Sequence, residues 1–258
     1  MHVDLSMISD LNMGTIIIDW AAIFLLVGVL RFTALYRKRG RTDDRLFFCM
    51  ILTDLVLAAV DSFNFALEYN PDPLAGKLIL CFDTIFTICF QLFWLLFLLY
   101  MDFRVNNDHL GLQKRAYLYA LPFAVAVVMA FGNLPFHYLF YVNEQNGYVY
   151  APYYSLVFAA PVIYAVLSLF FLLKLRKTVA LLYLLVLAVR IYGAHTCRGV
   201  SSTAFVLAVG LVFAHIVTMN QQFYAETQTV CENDVSAIAS PGEDDAGDQP
   251  LIKEASHD

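Results

Sequence analysis

Asp19, Asp61 and Asp83 each fall inside a long apolar run, where an ionisable side chain is costly and usually faces a bundle interior or a wet cavity. Asn64 follows Asp61 by one helical turn, and Arg190 stands in an apolar stretch further along. Asp54 precedes Asp61 by seven residues, which at about 100° per residue returns to within roughly 20° of the same helix face. Tyr141, Tyr148 and Tyr150 cluster in a short polar-aromatic segment between two apolar runs. Acids from three helices, with Arg190 opposite and tyrosines as a lid, would make an outward-opening ligand cavity. A plainer reading is also open, in which Arg190 pairs with one acid and the others stay hydrated near the interface. Interhelical polar contacts in membranes average well under about 1 kcal/mol, so adhesion alone is a weak reason for three acids.

The elements that would position these groups are membrane helices. Of the 258 residues, 60% are hydrophobic and 15% charged, too little polar surface to coat a water-soluble globule. A spanning helix needs about 20 mainly apolar residues. Candidate spans are Gly14–Tyr36, Leu46–Leu67, Leu78–Tyr100, Ala116–Leu134, Tyr153–Leu175, Thr178–Ala194 and Gly199–Met219. The expected fold is therefore an all-α integral membrane protein with seven transmembrane helices. Six is the competing count, because Arg190, His195 and Arg198 crowd the last turn. Residues 1–13 would form a short external N-terminus, 14–222 the membrane domain, and 223–258 a tail.

Basic residues gather after the first span (Arg37, Lys38, Arg39, Arg41, Arg45), the third (Arg104, Lys114, Arg115) and the fifth (Lys174, Arg176, Lys177). By the positive-inside rule the N-terminus is outside and the C-terminus cytoplasmic, in a multi-pass plasma membrane protein. With no Lys or Arg in the first 30 residues, the first span does not read as a cleaved signal. Between the fourth and fifth spans, Tyr138–Val142 and Tyr148–Tyr150 flank Asn146-Gly147, the chemistry of a tight turn. A small external β-hairpin over the bundle is expected there. From Glu226 onward lie nine of the 22 acidic residues against one of the 16 basic ones, with no helical periodicity, so a disordered tail is expected.

Other residues have ordinary readings. His215 and Gln91 suit interhelical hydrogen bonds, Trp20 an interfacial aromatic belt, and Arg37–Arg45 a topology signal. Cys49, Cys81, Cys89, Cys197 and Cys231 show no metal spacing. Cys81 and Cys197 would both lie near the outer face, but a disulfide there must meet strict geometry. No phosphate-loop, zinc-protease, nucleophile-elbow or dinucleotide motif is present, and the last span has no lysine for a retinal Schiff base. Asp102-Phe-Arg104 is a poor match to the Asp-Arg-Tyr of the main G-protein-coupled receptors. No enzyme activity, catalytic residue, cofactor, metal or nucleic-acid partner is expected.

Three stretches carry a resemblance: Arg37–Arg45 followed by Met50-Ile-Leu-Thr-Asp-Leu-Val56 and Asp61; Phe140–Tyr148 followed by Ala151-Pro-Tyr-Tyr154; and Met219-Asn-Gln-Gln222. They are similar to the multi-helix membrane region that precedes bacterial GGDEF diguanylate cyclases and some histidine kinases. The likeness covers about residues 14–225. Tyr150-Ala151 stands where that family tends to have Arg-Gly, and no GGDEF sequence or kinase histidine box follows Ala225. The resemblance implies a sensor- or receptor-like module that signals to a separate cytoplasmic cyclase, kinase or regulator, with the lipid bilayer and a second copy as further partners. A small-solute transporter or non-enzymatic membrane subunit is the alternative, and a relic of a longer signalling protein the third reading.

Overall fold

A computed structural model of the chain describes residues 5–36, 42–175, 184 and 203–212. All of them belong to the unit Met1–Phe213; the unit Ala214–Asp258, with His215 and the acidic tail, lies outside the described residues. The elements are α1 (Leu5–Tyr36), α2 (Thr42–Leu67), α3 (Pro73–Asn106), α4 (His109–Phe136), β1 (Phe140–Val142), β2 (Tyr148–Tyr150), a 3-10 turn (Tyr154–Phe158) and α5 (Ala159–Leu175).

Five helices are long and apolar enough to cross a membrane, which makes the chain a multi-pass membrane protein by length and composition: Asn12–Arg31, Thr42–Leu67, Pro73–Asn106, His109–Phe136 and Tyr154–Lys174. A shorter apolar helix spans Thr203–Val212. The expected sixth span, apart from Leu184, and about half of the seventh lie outside the described residues. α4 and α5 expose Leu118, Leu121, Val125, Val128, Val162, Val166 and Phe170, faces that only lipid or another apolar surface would cover.

The helices outrun their apolar cores because polar caps, not hydropathy, set their ends. Asp72 caps α3, its Oδ1 accepting the Leu74 N–H at 2.8 Å with Pro73 in the first turn. Asn107, at φ 47°, closes the far end of α3, and Asp108 at once caps α4 through the Gly111 N–H at 3.0 Å. α3 therefore runs 34 residues, about 51 Å against a hydrocarbon thickness of about 30 Å. α4 continues through Pro122 and Pro135. Pro161 falls in the first turn of α5, where a missing N–H is of little consequence.

α3 is the central helix, packed against α2, α4 and α5, while α1 packs on α2. Leu26, Met50, Ile51, Leu57, Leu98, Tyr164 and Leu172 fill the core, with Ala22, Ala58, Ala160, Ala204 and Ala208 where helices approach closely. The Tyr164 hydroxyl donates to Tyr119 O at 2.7 Å and pins α5 to α4.

At the end of the bundle that holds the α3–α4 turn, charges are paired. Arg104 bridges to Asp43 of α2 at 3.0 Å. Arg115 Nε of α4 meets the fully buried Asp102 of α3 at 2.7 Å, and Asn106 donates to the same carboxylate. Thr42 and His109 meet at 3.0 Å beside the Phe103 ring. Asp102 and Arg104 are thus structural ties between helices.

Candidate functional site

The opposite end is covered by the β-hairpin. β1 and β2 pair antiparallel, Phe140 with Tyr150, Tyr141 with Val149 and Val142 with Tyr148. Side chains alternate along a strand, so Phe140, Val142, Tyr148 and Tyr150 share one face and Tyr141 lies on the other. The turn is not a two-residue Asn-Gly turn. Asn146 N–H closes onto Asn143 O at 3.0 Å, which centres the turn on Glu144-Gln145, and Asn146 follows in the left-handed region at φ 56°. Gly147 is needed for contact, since a Cβ there would sit 2.8 Å from the Tyr69 ring.

Both ends of the hairpin are fastened to the helices. Asn133 is buried near the end of α4; its Oδ1 accepts from the N–H of Leu139 at 2.7 Å and of Phe140 at 3.3 Å, and its Nδ2 donates to Phe140 O at 3.0 Å. At the tip, Asn146 Nδ2 donates to Asn70 O at 2.6 Å and Asp72 O at 2.9 Å, while Asn146 O accepts the Tyr69 N–H at 3.2 Å. Gly76 admits this contact, because a Cβ would lie 2.5 Å from Asn146 Oδ1. Gln91 Nε2 reaches from α3 to Val157 O at 2.5 Å and holds the 3-10 turn. Ala151, next to Pro152, is buried and donates to Leu139 O at 2.9 Å.

Beneath the hairpin lie the acids. The Tyr148 hydroxyl donates to Asp83 Oδ2 at 3.0 Å. Glu68, just past α2, accepts the Tyr148 N–H at 3.3 Å on Oε1 and Asn12 Nδ2 at 3.3 Å on Oε2, which ties α1, α2 and the hairpin together. Burial pushes the Glu68 carboxyl up from its ordinary value, against the pull of those two donors. Burial, then the adjacent Asp83 charge, drives the Tyr148 phenol upward, so it stays a neutral donor. Asp61 lies within electrostatic reach of both Asp83 and Asp19. Ser62 Oγ approaches Asp19 Oδ2 at 3.4 Å, and Asp54 interacts in turn with Asp19. Asn64 Oδ1 is buried without a hydrogen-bond partner among the described residues.

An aromatic row walls this acid group. Ring centroids are 5.6 Å apart for Phe140–Tyr148, 5.0 Å for Tyr148–Tyr150, 4.3 Å for Tyr150–Tyr154 and 5.6 Å for Tyr154–Phe158.

Of the residues expected from sequence, Asp19, Asp61, Asp83, Tyr148 and Tyr150 come together, with Asn64 a turn from Asp61. Tyr141 does not join them; it is 40% exposed on the outer face of the hairpin. Arg190 lies outside the described residues, as does Cys197, and Cys81 carries a free, exposed thiol. Trp20 is exposed beside Phe24. Sequence reasoning missed Asn12, Glu68 and Asn133, and took Asn146 only as a turn residue and Tyr154 only as part of a motif. A signal for Glu68 existed: Asp54, Asp61 and Glu68 recur every seven residues on one stripe. Among the described residues no three His, Cys, Asp or Glu side chains converge as metal ligands do. Comparison with family models, curated proteins and solved structures finds no match to this chain.

Proposed function

We propose that the chain is a sensor- or receptor-like module of the bacterial plasma membrane, with seven transmembrane helices, the hairpin outside and the C-terminal tail in the cytoplasm. The observation that carries this reading is the Tyr148–Asp83 hydrogen bond: a lid bolted to two helix ends closes on a helix-borne acid through one neutral hydroxyl. A ligand that competes with Tyr148 for Asp83, or a membrane state that shifts α3, would bias the bundle between two packings. Asp19, Asp61 and Asn64 would line the site from α1 and α2, with Arg190 opposite. The basic residues at the other end, Arg45, Arg104, Lys114 and Arg115, support the orientation. A transporter would want helices broken near the midplane, whereas α4 runs on through Pro122.

Output would pass to a separate cytoplasmic cyclase, kinase or regulator through the inner loops or the tail. The test is affinity purification of the intact chain from gently solubilised native membranes beside a version cut after Gln222. Tail-dependent recovery of such an enzyme is the expected result. Recovery of lipid and further copies of the chain alone removes the effector, and solute uptake then becomes the assay of choice.

A further inference from the structure

The hairpin and the 3-10 turn lie along one stripe of α3. Gly76, Asp83 and Phe90 recur every seven residues on that helix, and the covering segment meets each in turn. Asn146 packs on Gly76, the Tyr148 hydroxyl reaches Asp83 at 3.0 Å, and the Phe158 ring meets Phe90 at 6.3 Å between centroids. Asp83, Tyr148 and Tyr154 are each only half-buried, so the hairpin covers this place without sealing it.

Two further acids stand at the same level. Ser62 Oγ lies 3.4 Å from Asp19 Oδ2, and Phe63 stacks on Phe82 at 5.9 Å. Those contacts align Asp19, Asp61 and Asp83 across α1, α2 and α3, and Asp61 interacts electrostatically with both of the others. Acceptors here outnumber donors. Asp19 is fully enclosed, yet its Oδ1 has no hydrogen-bond partner among the described residues, and Asn64 Oδ1 lacks one as well. Buried acceptors ordinarily find donors. Among the described residues no Lys or Arg pairs with Asp19, Glu68 or Asp83, and Lys77 is exposed.

Tyr148, Tyr150 and Tyr154 form the remaining wall, with successive ring centroids 5.0 and 4.3 Å apart. The face of such a ring attracts a cation within about 6 Å. Unused acceptors, carboxylates and aromatic faces together select a ligand that is positive, rich in donors and partly apolar. An anion would be repelled. A divalent metal would want converging oxygen ligands, and among the described residues no three acids converge. An ammonium group carries three donors and no acceptor.

We propose that the acid-lined space beneath the hairpin binds a primary organic ammonium group. The ammonium takes the place of the Tyr148 hydroxyl on Asp83, while its methylene carbons lie against the tyrosine rings. This rests on the ligand-sensing reading above and names the ligand's chemistry. Free amines and ethanolamine lipid headgroups both carry that group.

The test follows thermal unfolding of the full chain in nanodiscs of phosphatidylglycerol, which has no ammonium group, at neutral pH and constant ionic strength. Ethanolamine hydrochloride is titrated against sodium chloride, with ethylene glycol as the uncharged analogue. A second arm replaces part of the lipid by phosphatidylethanolamine. A ligand held only by the folded state raises Tm, by about 4 °C near ten times the half-saturating concentration. A saturable rise with free ethanolamine identifies a soluble amine, and a rise with the headgroup alone identifies a lipid. Either is lost in Asp83→Asn and kept in Glu144→Gln, an exposed acid of the hairpin turn. Tyr148→Phe removes the competing hydroxyl but keeps the ring, so it lowers the half-saturating concentration about fivefold. No rise in either arm, an equal rise with ethylene glycol, or a rise that Asp83→Asn keeps in full overturns the proposal. If Asp83→Asn does not fold, unchanged or weaker binding in Tyr148→Phe overturns it. This test and the tail-dependent recovery of a partner fail separately. A flat response here overturns the ligand and leaves the partner untouched, whereas an ammonium-specific rise supports the ligand whatever the tail recovers.

Discussion

Two carboxylates on one helix, Asp83 and Asp102, are held in opposite ways. Asp102 is enclosed by a guanidinium at 2.7 Å and an amide from its own helix. Asp83 meets a phenol at 3.0 Å, with further acids behind it. The first arrangement cancels charge and closes a joint between α3 and α4. The second gives the carboxyl a neutral donor and, among the described residues, no cation, beneath a hairpin fastened at both ends. Position along the helix therefore decides whether an acid meets a guanidinium or a neutral hydroxyl, and residue type alone does not.

Removing the cation at the closed end is the strongest way to test that contrast. Arg115→Ala strands Asp102 in the interior and should cost about 3 kcal/mol, read as a large fall in Tm in detergent or nanodiscs. If the loss is small, the closed end is not held by charge cancellation. At the covered end, Asn133→Ala removes three hydrogen bonds from α4, two to Phe140 of the first hairpin strand and one to Leu139 just before it. It should cost about 2 kcal/mol, seen chiefly as faster amide exchange across Phe140–Val142 and Tyr148–Tyr150, with the remaining helices little changed. The smallest effect concerns Glu68. Its folded-state value is raised by burial, so the ionised form is disfavoured on folding and hairpin protection should grow as pH falls from neutrality toward the ordinary carboxylate range. Glu68→Gln should flatten that component while keeping the acceptor for Tyr148 N–H. A pH profile identical to wild type would separate Glu68 from the docking of the hairpin.

Much of this was legible in the chain because the relevant signals are local. Apolar runs located the five described spans, and a period near 3.6 placed Asp54 and Asp61 on one face. Helix ends were not legible from hydropathy: the run Leu78–Tyr100 became Pro73–Asn106 through the Asp72 and Asn107 caps. Aromatic residues around Asn146-Gly147 identified the hairpin. Its register depends on the turn geometry, and a turn centred on Glu144-Gln145 puts Tyr148 over Asp83 while sending Tyr141 outward. Glu68 carried a signal in its seven-residue spacing from Asp61. Asn133, a lone amide between Gly132 and Leu134 near the end of an apolar run, gives no sign that its partners are the backbone groups of the chain six and seven residues on.

The length of α3 has a mechanical consequence. The helix carries Asp83 toward one end and Asp102 toward the other, about 28 Å apart along its axis. A rod pivoting at mid-bilayer is a lever whose tips swing in opposite senses. A tilt of about 5° about the middle of α3 moves Asp83, about 10 Å from that point, by about 1 Å and Asp102, about 19 Å from it, by about 1.6 Å. That is comparable to the difference between a made and a broken hydrogen bond. Releasing Tyr148 on one side would then strain the Arg115–Asp102 joint on the other, with no change in the helix itself.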